Sequence, residues 1–190
     1  MSKAWDGGEL GQFEYDGFDW VADHHARYPG FTAYDHDPDI DRDDLGYRIR
    51  INSEEQPDSE AVALLEELVG SADRVKRVIS QALFDDVMGE GPGSGVWWEG
   101  NAEDVEDVIG VDLPDEPEAW AALLELGSIV ILETHRLAEV QGPVAVMNFS
   151  ALFEEDHGIG FLTDGQAVYG IGYAEDVPPF GMLDSATGDE

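Results

Sequence analysis

Apolar residues change their spacing twice along this chain. Tyr47, Ile49 and Ile51 alternate with Arg48 and Arg50, the period of two expected of a half-buried strand. From residue 57 the period lengthens. Pro57, Asp58 and Ser59 precede Ala61, Leu64, Leu65 and Leu68, a helical stripe opened by a capping residue. Gly70 marks its end, Ser71 is placed to cap a second helix, and Val75, Val78, Ile79, Ala82, Leu83 and Val87 continue the stripe. Helices joined this tightly are expected to form an antiparallel hairpin, each with one apolar face. Two shorter helices are predicted beyond the glycine-rich run 89–95. Asn101, with Asp104 after it, caps one; Pro117 opens the other, which buries Trp120, Leu123 and Leu124 before Gly127 stops it.

After Ser128 the period returns to two. Strands are predicted at 129–132, 144–149, 159–163 and 167–172, with Asp164-Gly165 as a two-residue hairpin turn. On the last of these, Ala167, Tyr169 and Ile171 share one face and Val168, Gly170 and Gly172 the other. Before residue 45 the pattern is weaker. Phe13, Tyr15, Phe18 and Trp20 alternate with acids and read as one early strand or loop that plugs rings into a core, while 34–44 reads as a charged loop. The predicted class is α+β, an antiparallel sheet (the C-terminal meander plus an N-terminal strand) with the helical hairpin packed on one face. One domain is expected at 13–177 between flexible ends at 1–12 and 178–190.

Charge changes the picture of partners. Forty-three Asp and Glu stand against nine Lys and Arg in 190 residues, a formal net charge of −34. Internal pairing cannot neutralise that excess, so a solvated anionic shell is expected. Displacing counterions from phosphates takes Lys and Arg, which excludes direct nucleic-acid binding, and anionic membrane surfaces would repel the chain. A basic protein or a high-salt interior suits it. Lysine is reduced to Lys3 and Lys76, and Asp exceeds Glu by 23 to 20, the balance of proteins adapted to concentrated salt. The 43% hydrophobic content separates the chain from disordered acidic sequences. The lack of cysteine removes disulfides and thiolate metal sites. With no apolar stretch behind Met1 and no run of about 18 apolar residues, a cytoplasmic location is expected, with no membrane partner and no cofactor.

Phe153-Glu154-Glu155-Asp156-His157-Gly158-Ile159-Gly160 is the most distinctive string. Three carboxylates beside an imidazole favour its protonated form, and such a group could act as an acid/base pair or a metal ligand. The plainer reading makes His157, Gly158, Gly160, Ile171 and Gly172 a structural motif: His157 holds the lead-in to a strand and Gly158 supplies a special dihedral. The string resembles a bacterial domain family of unknown function whose members read roughly W-E-E-E-H-G-L-G near the C-terminus. The matching order covers about residues 45–177, with Ile171-Gly172 and Asp176 trailing. Phe153 stands where the family usually has Trp, and the acidic N-terminal loop has no counterpart. Some members are similar to immunity proteins encoded beside secreted toxins. The resemblance implies no catalytic residue.

Other constellations read more plainly. Asp35, Asp37, Asp39, Asp41 and Asp43 alternate like a calcium loop, yet Ile40 stands where a turn glycine is needed and Gly46 where a bidentate Glu belongs. His24, His25 and His36 make a poor metal set, since neighbours on a strand face opposite ways. Arg48 and Arg50, like Arg74 and Arg77, read as partners for the chain's own carboxylates, the sharper alternative for the first pair being an anion pocket. Trp97 and Trp98 cannot both enter a core from a regular strand, so one is a candidate partner anchor, together with the acids Glu154, Glu155 and Asp156. The leading expectation is a non-enzymatic acidic interaction protein, in its most specific form an immunity-type inhibitor of a basic toxin. The alternatives are a small hydrolase or metal-dependent enzyme around His157 and a nucleic-acid mimic.

Overall fold

A computed structural model describes residues 3–35, 37, 40–41, 45–88, 90–92, 114–135, 137 and 140–174, with the backbone alone of Glu155. The chain is α+β, built on one sheet of eight strands that lie side by side in sequence order. They are β1 (Ala4–Asp6), β2 (Gln12–Tyr15), β3 (Trp20–His24), β4 (Tyr47–Asn52), β5 (Leu124–Leu132), β6 (Val144–Ala151), β7 (Glu154–Thr163) and β8 (Val168–Tyr173). All neighbours pair antiparallel except β4 and β5, where Arg48 lies opposite Ser128 and Ile51 opposite Ile131 in a parallel register. A parallel pair requires a crossover. Here it contains α1 (Ser59–Gly70), α2 (Ala72–Val87) and a 3-10 segment, Pro117–Leu123.

Helix α1 starts where the capping pattern placed it. The Asp58 carboxylate accepts the amides of Glu60 at 2.9 Å and Ala61 at 2.7 Å, satisfying two of the donors a helix start leaves open. Ser71 makes no corresponding side-chain bond to α2. Helix α1 meets β5 and β6, while α2 lies chiefly against the Pro117–Leu123 segment and also meets β8. Among the described residues, no helix is long and apolar enough to cross a membrane.

Alternation along the strands divides the apolar residues between two faces. One face carries Ile49, Ile51, Ile129, Ile131, Met147, Phe149, Ile159 and Phe161, in one cluster with Leu65, Leu68, Ile79 and Leu83 of the helices. The other carries a smaller cluster of Leu132, Val144, Val146 and Leu162, joined by Val140 from the β5–β6 connection.

Several elements depart from the sequence reading. Four strands precede the crossover, where the sequence reading had the Tyr47–Ile51 strand and one early strand or loop. Within 1–12, read as a loose end, β1 pairs with β2 through Ala4–Glu14 and Trp5–Phe13. The early aromatic run is two strands and a turn: Phe13 and Trp20 are buried, but Phe18 lies in the turn, 78% exposed. The segment after Pro117 is a short 3-10 stretch, because the Ala121 carbonyl accepts from Thr32 and the Leu124 carbonyl from Ala33; β5 therefore begins at Leu124 and runs through Gly127, where its register slips against β6. The Asp164-Gly165 turn is longer than two residues, since Thr163 pairs with Val168 and the Asp164 carboxylate accepts the amides of Gln166 and Ala167. A register shift follows at once, so Val168 packs on the larger cluster and Tyr169 on the smaller. Trp97, Trp98, the Asn101 helix, Asp176 and the tail 178–190 lie outside the described residues, as do most of the glycine run and His36, Asp39 and Asp43.

Candidate functional site

The 153–160 string forms the start of β7. Phe153 is buried against Trp120, with ring centroids 6.3 Å apart. Glu154 bonds His157 twice: its Oε1 lies 2.9 Å from the ring Nδ1 and accepts the His157 amide at 3.2 Å. The imidazole, whose side chain is 61% exposed, also lies against Tyr173. Asp156 is exposed, and the Glu155 side chain lies outside the described atoms. Gly158 sits at φ +64, and a Cβ there would come 2.5 Å from the Phe149 carbonyl oxygen. Only glycine fits both conditions without strain. Gly160 faces Asn148 on one side and Gly172 on the other, and Ile171 is buried opposite Phe161. The string thus shapes a strand, while its imidazole stands at the surface beside Glu154 and Tyr173.

Strand registers place Asp23, Arg48, Ser128, Asn148, Gly160 and Gly172 in one row across the sheet, on the face opposite the larger core. Asn148 donates to the Ser128 hydroxyl at 3.0 Å, and its Oδ1 is buried with no partner among the described residues. At the N-terminal end of this row a groove of about 580 Å³ is lined by Asp23, His25, Arg48, Arg50 and Ser128, among others. Its arginines are engaged by the chain's own acids. Arg48 Nε donates to Asp23 at 2.7 Å, and Arg50 pairs with Asp19, which also accepts from Asn52 at 2.8 Å. The Arg48 hydrogen bond holds the Asp23 carboxyl below its ordinary range.

The same use of arginine recurs elsewhere. Arg27 grips the buried Glu125 with two nitrogens and Asp35 with a third bond, fixing the β3–β4 connection to the first turn of β5. Burial pushes the Glu125 carboxyl up, and the Arg27 bonds only partly offset it. Arg74 pairs with Glu67 at 2.8 Å. Bidentate and networked pairs of this kind suit the planar guanidinium better than lysine. The sink reading of Arg48 and Arg50 therefore describes their geometry. His24 is likewise occupied, its Nε2 2.8 Å from the Leu10 carbonyl and its ring stacked on Tyr47.

One surface feature was not anticipated from the sequence. The β2–β3 turn is locked by Asp16, whose Oδ1 accepts the amides of Phe18 and Asp19, each at 2.9 Å. These bonds hold the Asp16 carboxyl below its usual range. Gly17 takes φ +112, which a side chain would resist, and its carbonyl accepts the Tyr15 hydroxyl at 3.0 Å. The turn holds Phe18 out into solvent. Beside it lies a groove of about 370 Å³ lined by Tyr15, Gly17, Phe18, Asn52, Ser53, Glu54, Glu133 and Thr134. Glu133 Oε1 accepts the Asp58 amide at 2.9 Å. Lys3 reaches this corner: its Nζ lies 4.8 Å from the Tyr15 ring centroid and donates to the Glu54 carbonyl at 3.2 Å. The sequence signal was available in Asp16-Gly17, a turn pair between two short alternating runs.

Among the described residues, no group of three or more His, Asp or Glu is arranged to hold a metal ion. No family model, no curated protein and no solved structure matches this chain.

Proposed function

We propose that this chain is a non-enzymatic interaction protein whose acidic surface binds a basic protein. The observation that carries the reading is the placement of its arginines. Arg27, Arg48, Arg50 and Arg74 are each tied to carboxylates of the chain itself, so these scarce cations are occupied within the fold of a chain whose formal net charge is −34. A field of that sign speeds encounter with a positively charged protein and discourages anionic competitors. We read α1 and α2 as a hairpin covering the larger core, which leaves the opposite face of β3 and β4 for contact. The resemblance of residues 153–160 to a family with immunity-like members makes an inhibitor of a basic toxin the most specific form of this reading.

His157 does not favour an enzyme. Its side chain is 61% exposed, and it lines none of the grooves formed around Arg48, Phe18 and Arg77. The test is affinity capture from native lysate over a series of salt concentrations. Retention of a basic protein that elutes as salt rises is expected. Capture of acidic proteins alone, or of nothing above a neutral control, would overturn the proposal.

A further inference from the structure

We infer that the corner formed by the β2–β3 turn and the residues after β4 is a socket for a lysine or arginine side chain of the basic partner, with Phe18 as the apolar anchor beside it. The inference rests on the reading of a basic protein partner and names where that partner docks.

Three independent features meet there. The first is the display of Phe18. The chain buries Phe13, Phe31, Phe149, Phe153 and Phe161, yet holds this ring 78% exposed on a turn whose backbone is fixed by Asp16 and Gly17. A rigid backbone beneath an exposed aromatic lowers the ordering cost of binding, and aromatics of this kind dominate interface energies when a partner desolvates them.

The second is the groove against that ring, which presents Tyr15 together with the Glu54 and Glu133 segments. An aromatic face and carboxylates within one recess are the components that hold a guanidinium or ammonium group.

The third is Lys3, one of only two lysines. Its ammonium lies against Tyr15 and bonds the Glu54 carbonyl, so this corner already receives a cation from the chain's own first strand. An incoming side chain would use the same aromatic and carbonyl chemistry on the Phe18 side. The occupant is a protein segment, because a free cation has no use for the exposed ring.

The test is amide chemical-shift mapping with an acetylated, amidated Leu-Arg-Leu peptide and its Leu-citrulline-Leu counterpart, which keeps the shape and removes the charge. The arginine peptide should shift the amides of residues 15–18, 54 and 134. Its affinity should fall at least about tenfold with citrulline, with Phe18→Ala, and with the double change Glu54→Gln and Glu133→Gln. Melting curves confirm that each variant is folded. Shifts spread along the acidic surface, shifts indifferent to Phe18→Ala, or no shifts would overturn the socket. Capture from lysate separates this from the parent reading. A basic protein retained equally by wild type and Phe18→Ala places its site elsewhere and sinks the socket alone. Failure to capture any basic protein, with the peptide still localised, sinks the parent reading alone.

Discussion

The two halves of the sheet are built differently. Toward the Leu132 end of β5–β8 both faces are covered: Met147 and Phe161 point into the larger cluster, Val146 and Leu162 into the smaller, while Ser150 at the other end is exposed. In β3 and β4 only one face is covered. Trp20, Ala22, Tyr47, Ile49 and Ile51 are buried on it, while the other bears Asp23 paired with Arg48 and Asp19 paired with Arg50. The closed half holds its place by apolar packing, whose stabilisation scales with buried area. The open half carries one exposed pair, Arg48–Asp23, which contributes little, and one in which Arg50 covers the buried Asp19 carboxylate. The grooves around Arg48 and Phe18 border the open half, whereas the groove around Arg77 lies between α2 and the start of β8. On the proposed reading, recognition falls to the open half and stability chiefly to the closed one.

Substitutions should follow that division. Phe161 is fully buried and meets Phe149 edge-on at 5.4 Å. Phe161→Ala should cost about 3–5 kcal/mol in urea unfolding, whereas Phe18→Ala should stay within about 0.5 kcal/mol. Similar losses at the two sites would erase the distinction between the halves. Next in size, Gly158→Ala should cost about 2 kcal/mol or more, from the left-handed backbone and the approach to the Phe149 carbonyl. A neutral result would show that β7 re-forms without that close contact.

Charge should act on the whole molecule. Melting temperature should climb between about 0.05 and 2 M salt beyond the response of a neutral control, because screening removes self-repulsion. A flat response would remove the case for high-salt adaptation. The pH dependence has two limbs. Glu125 has a folded pKa raised by burial, so neutralising it favours the fold, and stability should increase as pH falls through that value toward the ordinary 4.5. Asp16 and Asp23 have lowered folded pKa values. Their contribution is complete above the ordinary value of 3.8 and is lost as pH falls through their folded values. Stability should thus pass through a maximum on the acid side of neutrality, checked by melts across pH. The smallest effect belongs to the most distinctive string of the sequence: His157→Ala should cost less than about 1 kcal/mol, since its side chain is 61% exposed. A larger loss would restore the buried structural role that the sequence suggested.

The closed half was the more legible one. Its four strands overlap the predicted runs, although β5 and β7 each begin five residues earlier, and the Asp58 cap and leucine stripe of α1 lie where the spacing put them. What escaped was non-local or short. Pairing of β4 with β5 joins residues about 80 apart, and no local period reports it. Strands β1 to β3 have three to five residues each, too few for alternation to stand out among acids. Phe18 was counted with the core because hydrophobicity alone does not distinguish a ring in a turn from a ring in a strand. The bonds from Asp16 that decide the matter are local, to the amides two and three residues on, and only the Asp16-Gly17 dipeptide signals them. The register shift at the start of β8 similarly reversed Val168 and Tyr169, which strict alternation had assigned the other way.

Amide hydrogen exchange of the chain, alone and with the basic protein it captures, tests the division most directly. Binding should slow exchange in residues 12–24 and 47–58, on both sides of the Phe18 corner, and leave β6–β8 as in the free protein. Protection centred on β6–β8, or the lack of any basic protein to add, would contradict it.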